Sequence, residues 1–142
     1  MNIALGSDHA GRSLRMRLVA HLENKGFQVL DLGVESDDSV DYPVYARKVC
    51  KAIQEQQAEL GVLVCGSGQG MAISANKEKG IRAALCTSQE LAQLAKEHND
   101  ANVLCLGERI IGADLALSIL DKFLESKFLG GRHAKRVELI ES

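Results

Sequence analysis

Two periodicities alternate along the chain. Leu14, Leu18 and Leu22 recur every four residues, and Ala46, Val49, Cys50 and Ile53 follow an i, i+3, i+4, i+7 pattern. Leu91, Leu94, Ala95 and His98 repeat that pattern, and Ala116, Leu117, Leu120 and Leu124 carry it towards the end. Such spacing predicts helices with one apolar face. Between them lie short apolar runs that predict strands: Ile3–Gly6, Val29–Gly33, Leu60–Cys65, Arg82–Cys86 and Val103–Gly107. A last short helix is predicted over Arg132–Glu141, after the break at Gly130-Gly131.

Strands that alternate with helices imply crossover connections, hence a parallel sheet covered on both faces. The run LGVLVC at 60–65 is apolar without alternation, as a strand buried on both sides should be. The expected architecture is one doubly wound α/β domain over residues 1–142, a Rossmann-like three-layer α/β/α fold with a five-stranded parallel sheet. Ligands of such folds bind beyond the C-terminal ends of the strands. Functional residues are therefore expected just after strands.

Composition narrows the function. With 46% hydrophobic and 25% charged residues, the 142-residue chain has the make-up of a globular protein, not a disordered one. A net charge of −2 gives no global positive field, which argues against a nucleic-acid partner. One local exception is the stretch 127–136, where Lys127, Arg132, His133, Lys135 and Arg136 occur without an acidic residue. It suits a small anion better than a polyanion. No apolar run is long enough for a membrane span, and no signal peptide is expected at the N-terminus. Cys50, Cys65, Cys86 and Cys105 form no CxxC pair, so a zinc site is not expected. They read as reduced thiols in a cytoplasm.

Two strand exits carry candidate chemistry. The first strand runs into GSDHAG at 6–11. Ser7 or Asp8 there could simply cap the next helix. Alternatively, Asp8 accepts hydrogen bonds from sugar hydroxyls while His9 donates to a phosphate or ring oxygen. The third strand runs into CGSGQG at 65–70. Gly66, Ser67, Gly68, Gln69 and Gly70 form a loop whose backbone N–H groups could converge on a phosphate or on an enediolate. Cys65 opens this loop, where a thiol is placed for thiolate chemistry. Cys86, also at a strand end, is its rival. Cys50 and Cys105 fit the usual buried, inert cysteine.

His98 opens the run HNDAN, beside Asn99 and Asp100. It continues an apolar face, so a packed core histidine is one reading and an acid at the edge of a site is the other. Aldose–ketose interconversion needs a base at carbon, an acid at the ring oxygen and a clamp for charge. Cys65, His98 and the glycine loop would supply one of each. Arg109, Arg132 and Arg136 could hold a dianionic phosphate, and the i, i+4 spacing of the last two puts both on one helix face.

These motifs, in this order, resemble the type B ribose-5-phosphate isomerases and their galactose- and allose-6-phosphate isomerase relatives. The resemblance spans GSDHAG, DYP at 41–43, VCGSGQGM at 64–71, ANK at 75–77, GIRAALC at 80–86, HNDANVL at 98–104, GERIIG at 107–112 and GGRHAKRV at 130–137. It implies isomerisation of ribose 5-phosphate to ribulose 5-phosphate without a metal or other cofactor. It further implies a homodimer or homotetramer with sites between subunits. Carried over, Cys65 is the base and His98 the ring-opening acid. Asp8, His9, Tyr42, the Gly66–Gly70 loop and Asn99 contact substrate, and Arg109, Arg132 and Arg136 bind phosphate. Hexose-6-phosphate isomerisation is the near alternative. A non-catalytic nucleotide- or phosphosugar-binding module is the distant one, since this architecture hosts many functions.

Overall fold

The computed structural model describes residues 1–142. Five parallel strands, β1 (Asn2–Ser7), β2 (Gln28–Asp31), β3 (Leu60–Cys65), β4 (Ala83–Leu85) and β5 (Val103–Gly107), form one sheet in the order β2-β1-β3-β5-β4. Six helices connect and cover them: α1 (Arg12–Asn24), α2 (Tyr42–Gln54), α3 (Gln69–Ala75), α4 (Gln89–Asn99), α5 (Ala113–Glu125) and α6 (Arg132–Glu141). All five predicted strands are present, two with the expected ends and three with ends that shift by one or two residues. The edge strands β2 and β4 are the shortest, because they have a neighbour on one side only.

Alternation of side chains across the sheet produces two cores. Ile3, Leu5, Val62, Val64, Leu104 and Leu106 face α1, α4 and α5, where Leu14, Leu18, Leu22, Ala95, Ile119 and Phe123 meet them. Ala4, Leu63, Cys65, Val103 and Cys105 face α2 and α3, against Ala46, Val49, Cys50 and Met71. Every residue of β3 is buried. Burying one such Leu, Ile or Phe side chain contributes roughly 1.5–3 kcal/mol. Helix α6 stands apart: it packs on α4 and buries none of its own residues.

The strand order fixes where a ligand fits. From β1 the chain crosses to β2 on one side, whereas β3 and the strands after it lie on the other. A crevice opens where the order reverses, beyond the C-terminal ends of β1 and β3. Register places Ser7 beside Val64, and Cys65 beside Gly107, at that edge.

Candidate active site

At the reversal point lies a cleft of about 480 Å³ lined by Asp8, His9, Ala10, Tyr42, Cys65, Gly66, Ser67, Gly70, Arg109 and Ile110. Eight of these were predicted from the sequence as site residues. Each is delivered by a strand exit or by the start of the following helix.

Cys65 ends β3 with its side chain on the α2–α3 face, 5% exposed and at the cleft wall. Its Sγ accepts the Gly68 N–H at 3.1 Å. A backbone donor is thus aimed at the sulfur. The bond requires the turn that Gly68 makes at φ 82, a left-handed conformation suited to glycine. The N–H groups of Gly66, Ser67 and Gly70 have no acceptor within the protein. They rim the same cleft and are available to an oxyanion. Gln69 donates its N–H to Ser67 Oγ at 3.3 Å, and its exposed side chain stays off the cleft wall. Gly68 likewise acts from behind the wall.

Cys86 loses its rivalry on position. It lies in the opposite core, off the cleft, and burial pushes its thiol up to about 11. Burial pushes Cys50 up to about 12, with the nearby Glu78 charge adding to the effect, and holds Cys105 well above the ordinary thiol range. These three are core residues.

Asp8 fulfils the capping expectation and still reaches the cleft. Its Oδ1 accepts the Gly11 N–H at 3.1 Å at the head of a short turn, His9–Gly11, and its Oδ2 accepts nothing from the protein. His9 Nδ1 accepts the Val40 N–H at 3.2 Å, so a neutral ring carries its proton on Nε2. Tyr42, the first residue of α2, lies over Gly70. A Cβ there would stand 2.5 Å from Cε1 of the ring, so only glycine lets the ring close on the loop. Arg109 donates its N–H to the Gly66 carbonyl at 2.9 Å and lays its guanidinium beside Gly66.

His98, Asn99, Arg132 and Arg136 do not join this group. Helix α4 ends at Asn99 and leads into the start of β5, so its last turn lies at the N-terminal edge of the sheet. Cys65 pairs with Gly107 at the other edge. The length of β5 separates the two edges, about 13 Å at roughly 3.3 Å per residue. Within one chain, this topology keeps His98 away from Cys65. His98 instead stacks on His133 of α6, with ring centroids 4.2 Å apart and an interplanar angle of 10°. His133 is held below the ordinary histidine range, first by partial burial, then by the positive charge of His98, Arg132 and Arg136. Arg132 and Arg136 are exposed on α6, as expected, and neither makes a salt bridge. The result is a second, cationic cluster at the far edge.

Two arginines escaped the sequence reading. Arg82 donates to the carbonyls of Asn99 and Asp100 at 3.0 and 2.8 Å and to Glu141 at 3.1 Å, so it clamps the end of α4 to α6. Arg15 is 1% exposed and lies behind the cleft. The signal for it was present: Arg15 shares the apolar face of Leu14, Leu18 and Leu22, where a cation needs partners. No three His, Cys, Asp or Glu side chains are arranged to hold a metal ion.

The fold and cleft thus define a doubly wound α/β protein with a thiol-bearing cleft, rimmed by unengaged backbone N–H groups, at the sheet reversal. Residues 3–140 match the Ribose/Galactose Isomerase family. Ribose-5-phosphate isomerase B of Escherichia coli K12 is 46% identical over 138 residues, covering 97% of this chain and 93% of that protein. Among solved structures, Clostridium thermocellum ribose-5-phosphate isomerase B superposes with a TM-score of 0.98 at 47% identity, covering 99% of this chain and 95% of the other. The Mycoplasma genitalium ribose-5-phosphate isomerase B, solved with bound ribulose 5-phosphate, gives 0.96 at 42% identity, covering 99% and 93%. The chain belongs to the ribose/galactose isomerase family.

Proposed function

We propose that this chain, as one domain over residues 1–142, interconverts ribose 5-phosphate and ribulose 5-phosphate, in a cleft completed by a second copy of itself. The carrying observation is the thiol of Cys65 at the wall of a cleft rimmed by unengaged backbone N–H groups. Family membership and the names of the relatives point to the same chemistry.

In this reading Cys65, as thiolate, takes the proton from C2 of the open-chain aldose. The electron pair moves into the C1–C2 bond, and the carbonyl oxygen gains negative charge as an enediolate. The N–H groups of Gly66, Ser67 and Gly70 stabilise that oxygen; one such donor is commonly worth about 10²–10³ in rate. The proton of the C2 hydroxyl passes to the C1 oxygen, and return of the first proton to C1 then gives the ketose. Asp8 accepts from sugar hydroxyls through Oδ2, and Tyr42 closes the wall over Gly70. Phosphate lies at the open end, between the Nε2 donor of His9 and the guanidinium of Arg109. The general base and oxyanion donors suffice for proton transfer, but the ring-opening acid and most of the phosphate charge are missing from the cleft. A copy related by two-fold symmetry can supply them. Its His98 would protonate the ring oxygen, its Asn99 would contact the sugar, and its Arg132 and Arg136 would close on the phosphate.

The four free thiols suit a reducing compartment, and we assign the protein to the cytoplasm. Steady-state assays with ribose 5-phosphate, allose 6-phosphate and galactose 6-phosphate test the assignment. Fastest turnover of the pentose is expected. A preference for either hexose phosphate would move the chain to that branch of the family, and no turnover of any would defeat the enzymatic reading.

A further inference from the structure

Arg15 is the largest fully buried side chain of the protein, on a helix face otherwise apolar. An apolar residue would fill that place without the cost of dehydrating a cation. The partners of Arg15 explain its presence. Nη1 donates to Ser7 Oγ at 2.9 Å and to the Val34 carbonyl at 2.7 Å, and Nε lies 3.0 Å from Asp31 Oδ1 in an ion-pair contact. Ser7 is the last residue of β1, directly before Asp8 and His9, and Asp31 is the last residue of β2. Val34 belongs to segment 32–41, which leads to Tyr42.

That segment is joined to β1 by two further bonds, Leu32 N–H to the Leu5 carbonyl and Ser7 N–H to the Gly33 carbonyl, both 2.8 Å. It then returns to the cleft, where the Val40 N–H is donated to His9 Nδ1. An N–H can be donated to Nδ1 only when that nitrogen is unprotonated. The contact therefore selects the tautomer whose proton is on Nε2, the form that can donate from the other edge of the ring. Arg15 is the one side chain bonded both to the strand that carries His9 and to the segment that orients it.

We propose that Arg15 is a positioning residue for substrate recognition, locking segment 32–41 onto the end of β1 so that Val40 holds His9 as the Nε2–H donor. The proposal rests on the reading of His9 as a phosphate contact. Its test reads the ring directly. In ¹⁵N spectra of the full-length protein, with His9 assigned through a His9→Gln variant, wild type is expected to show an unprotonated Nδ1 and a protonated Nε2. Arg15→Met should move both signals towards the average of exchanging tautomers. KM for ribose 5-phosphate should rise several-fold with a smaller change in kcat, and Arg15→Lys should restore part of both. Ser7→Ala removes one of the two acceptors and should give a smaller displacement in the same direction. It also keeps the test available if Arg15→Met does not fold. Wild-type His9 signals in a folded variant would overturn the proposal whatever its activity. Absence of turnover by wild type defeats the isomerase reading alone, because the spectra still report whether Arg15 sets the ring.

Discussion

The cleft at the C-terminal edge of the sheet and the cationic cluster at its N-terminal edge are built in different ways. In the cleft, backbone does the positioning. Cys65 is fixed in a fully buried strand, Gly68 aims its N–H at the sulfur, and the Val40 N–H orients His9. At the far edge the groups are side chains on helix ends: His98 and His133 stacked on each other, with Arg132 and Arg136 exposed beside them. The cleft holds a thiol and unengaged backbone N–H groups but few cations. The cluster concentrates cationic side chains around two histidines. Each region has what the other lacks, and the fold of one chain keeps them apart. In the reading proposed above, a second copy brings the two together.

The sharpest way to break this division is at the base. Cys65→Ala should lower turnover by about 10³-fold or more, while binding of a phosphate ligand survives. Cys86→Ala should stay near wild type, because that thiol lies in the opposite core and is pushed up to about 11. Near-normal turnover in Cys65→Ala, measured by steady-state kinetics, would remove the base from the cleft.

The cluster responds differently. Arg136→Ala removes a charge and no packing, so it should act on binding: KM up by about tenfold or more with a smaller effect on kcat. High salt should narrow the gap between variant and wild type. An unchanged KM would take Arg136 out of phosphate recognition.

The smallest effect belongs to a third polar group that serves as a control. Asp121 accepts from His21 and Lys25, each at 2.8 Å, away from both regions. Partial burial works to raise its carboxyl, but these hydrogen bonds and charges hold it below the usual value of 3.8. A depressed carboxylate stabilises the fold above its unfolded value and loses that contribution as pH falls through the folded one. Asp121→Asn should therefore cost at most about 1 kcal/mol at neutral pH in denaturant melts. The difference from wild type should close below about pH 3.8, with turnover unchanged. A loss of turnover would extend the site to a place neither region reaches.

Much of the cleft was legible in the sequence, because strand exits announce themselves. CGSGQG and GSDHAG each follow an apolar run, and both lie at the sheet reversal. The same rule, that ligand groups follow strands, already separates His98, which precedes one. Its identity as a candidate was readable from composition and resemblance; its distance from Cys65 required the direction of α4. Strand order was not legible either. The connections on both sides of β4 allow it to lie inside or outside β5, and only packing makes it the edge. Arg82 was hidden for a third reason. Nothing local marks an arginine whose acceptors are backbone carbonyls far along the chain.

The central claim is that one working site takes Cys65 from one copy and His98 from another. Two inactive variants, Cys65→Ala and His98→Asn, can be unfolded together, refolded as an equal mixture and assayed with ribose 5-phosphate. Random pairing makes about half of the dimers mixed, and each mixed dimer has one intact site, so about a quarter of wild-type turnover should return. Activity no higher than either variant alone would contradict the account and return the whole site to a single chain.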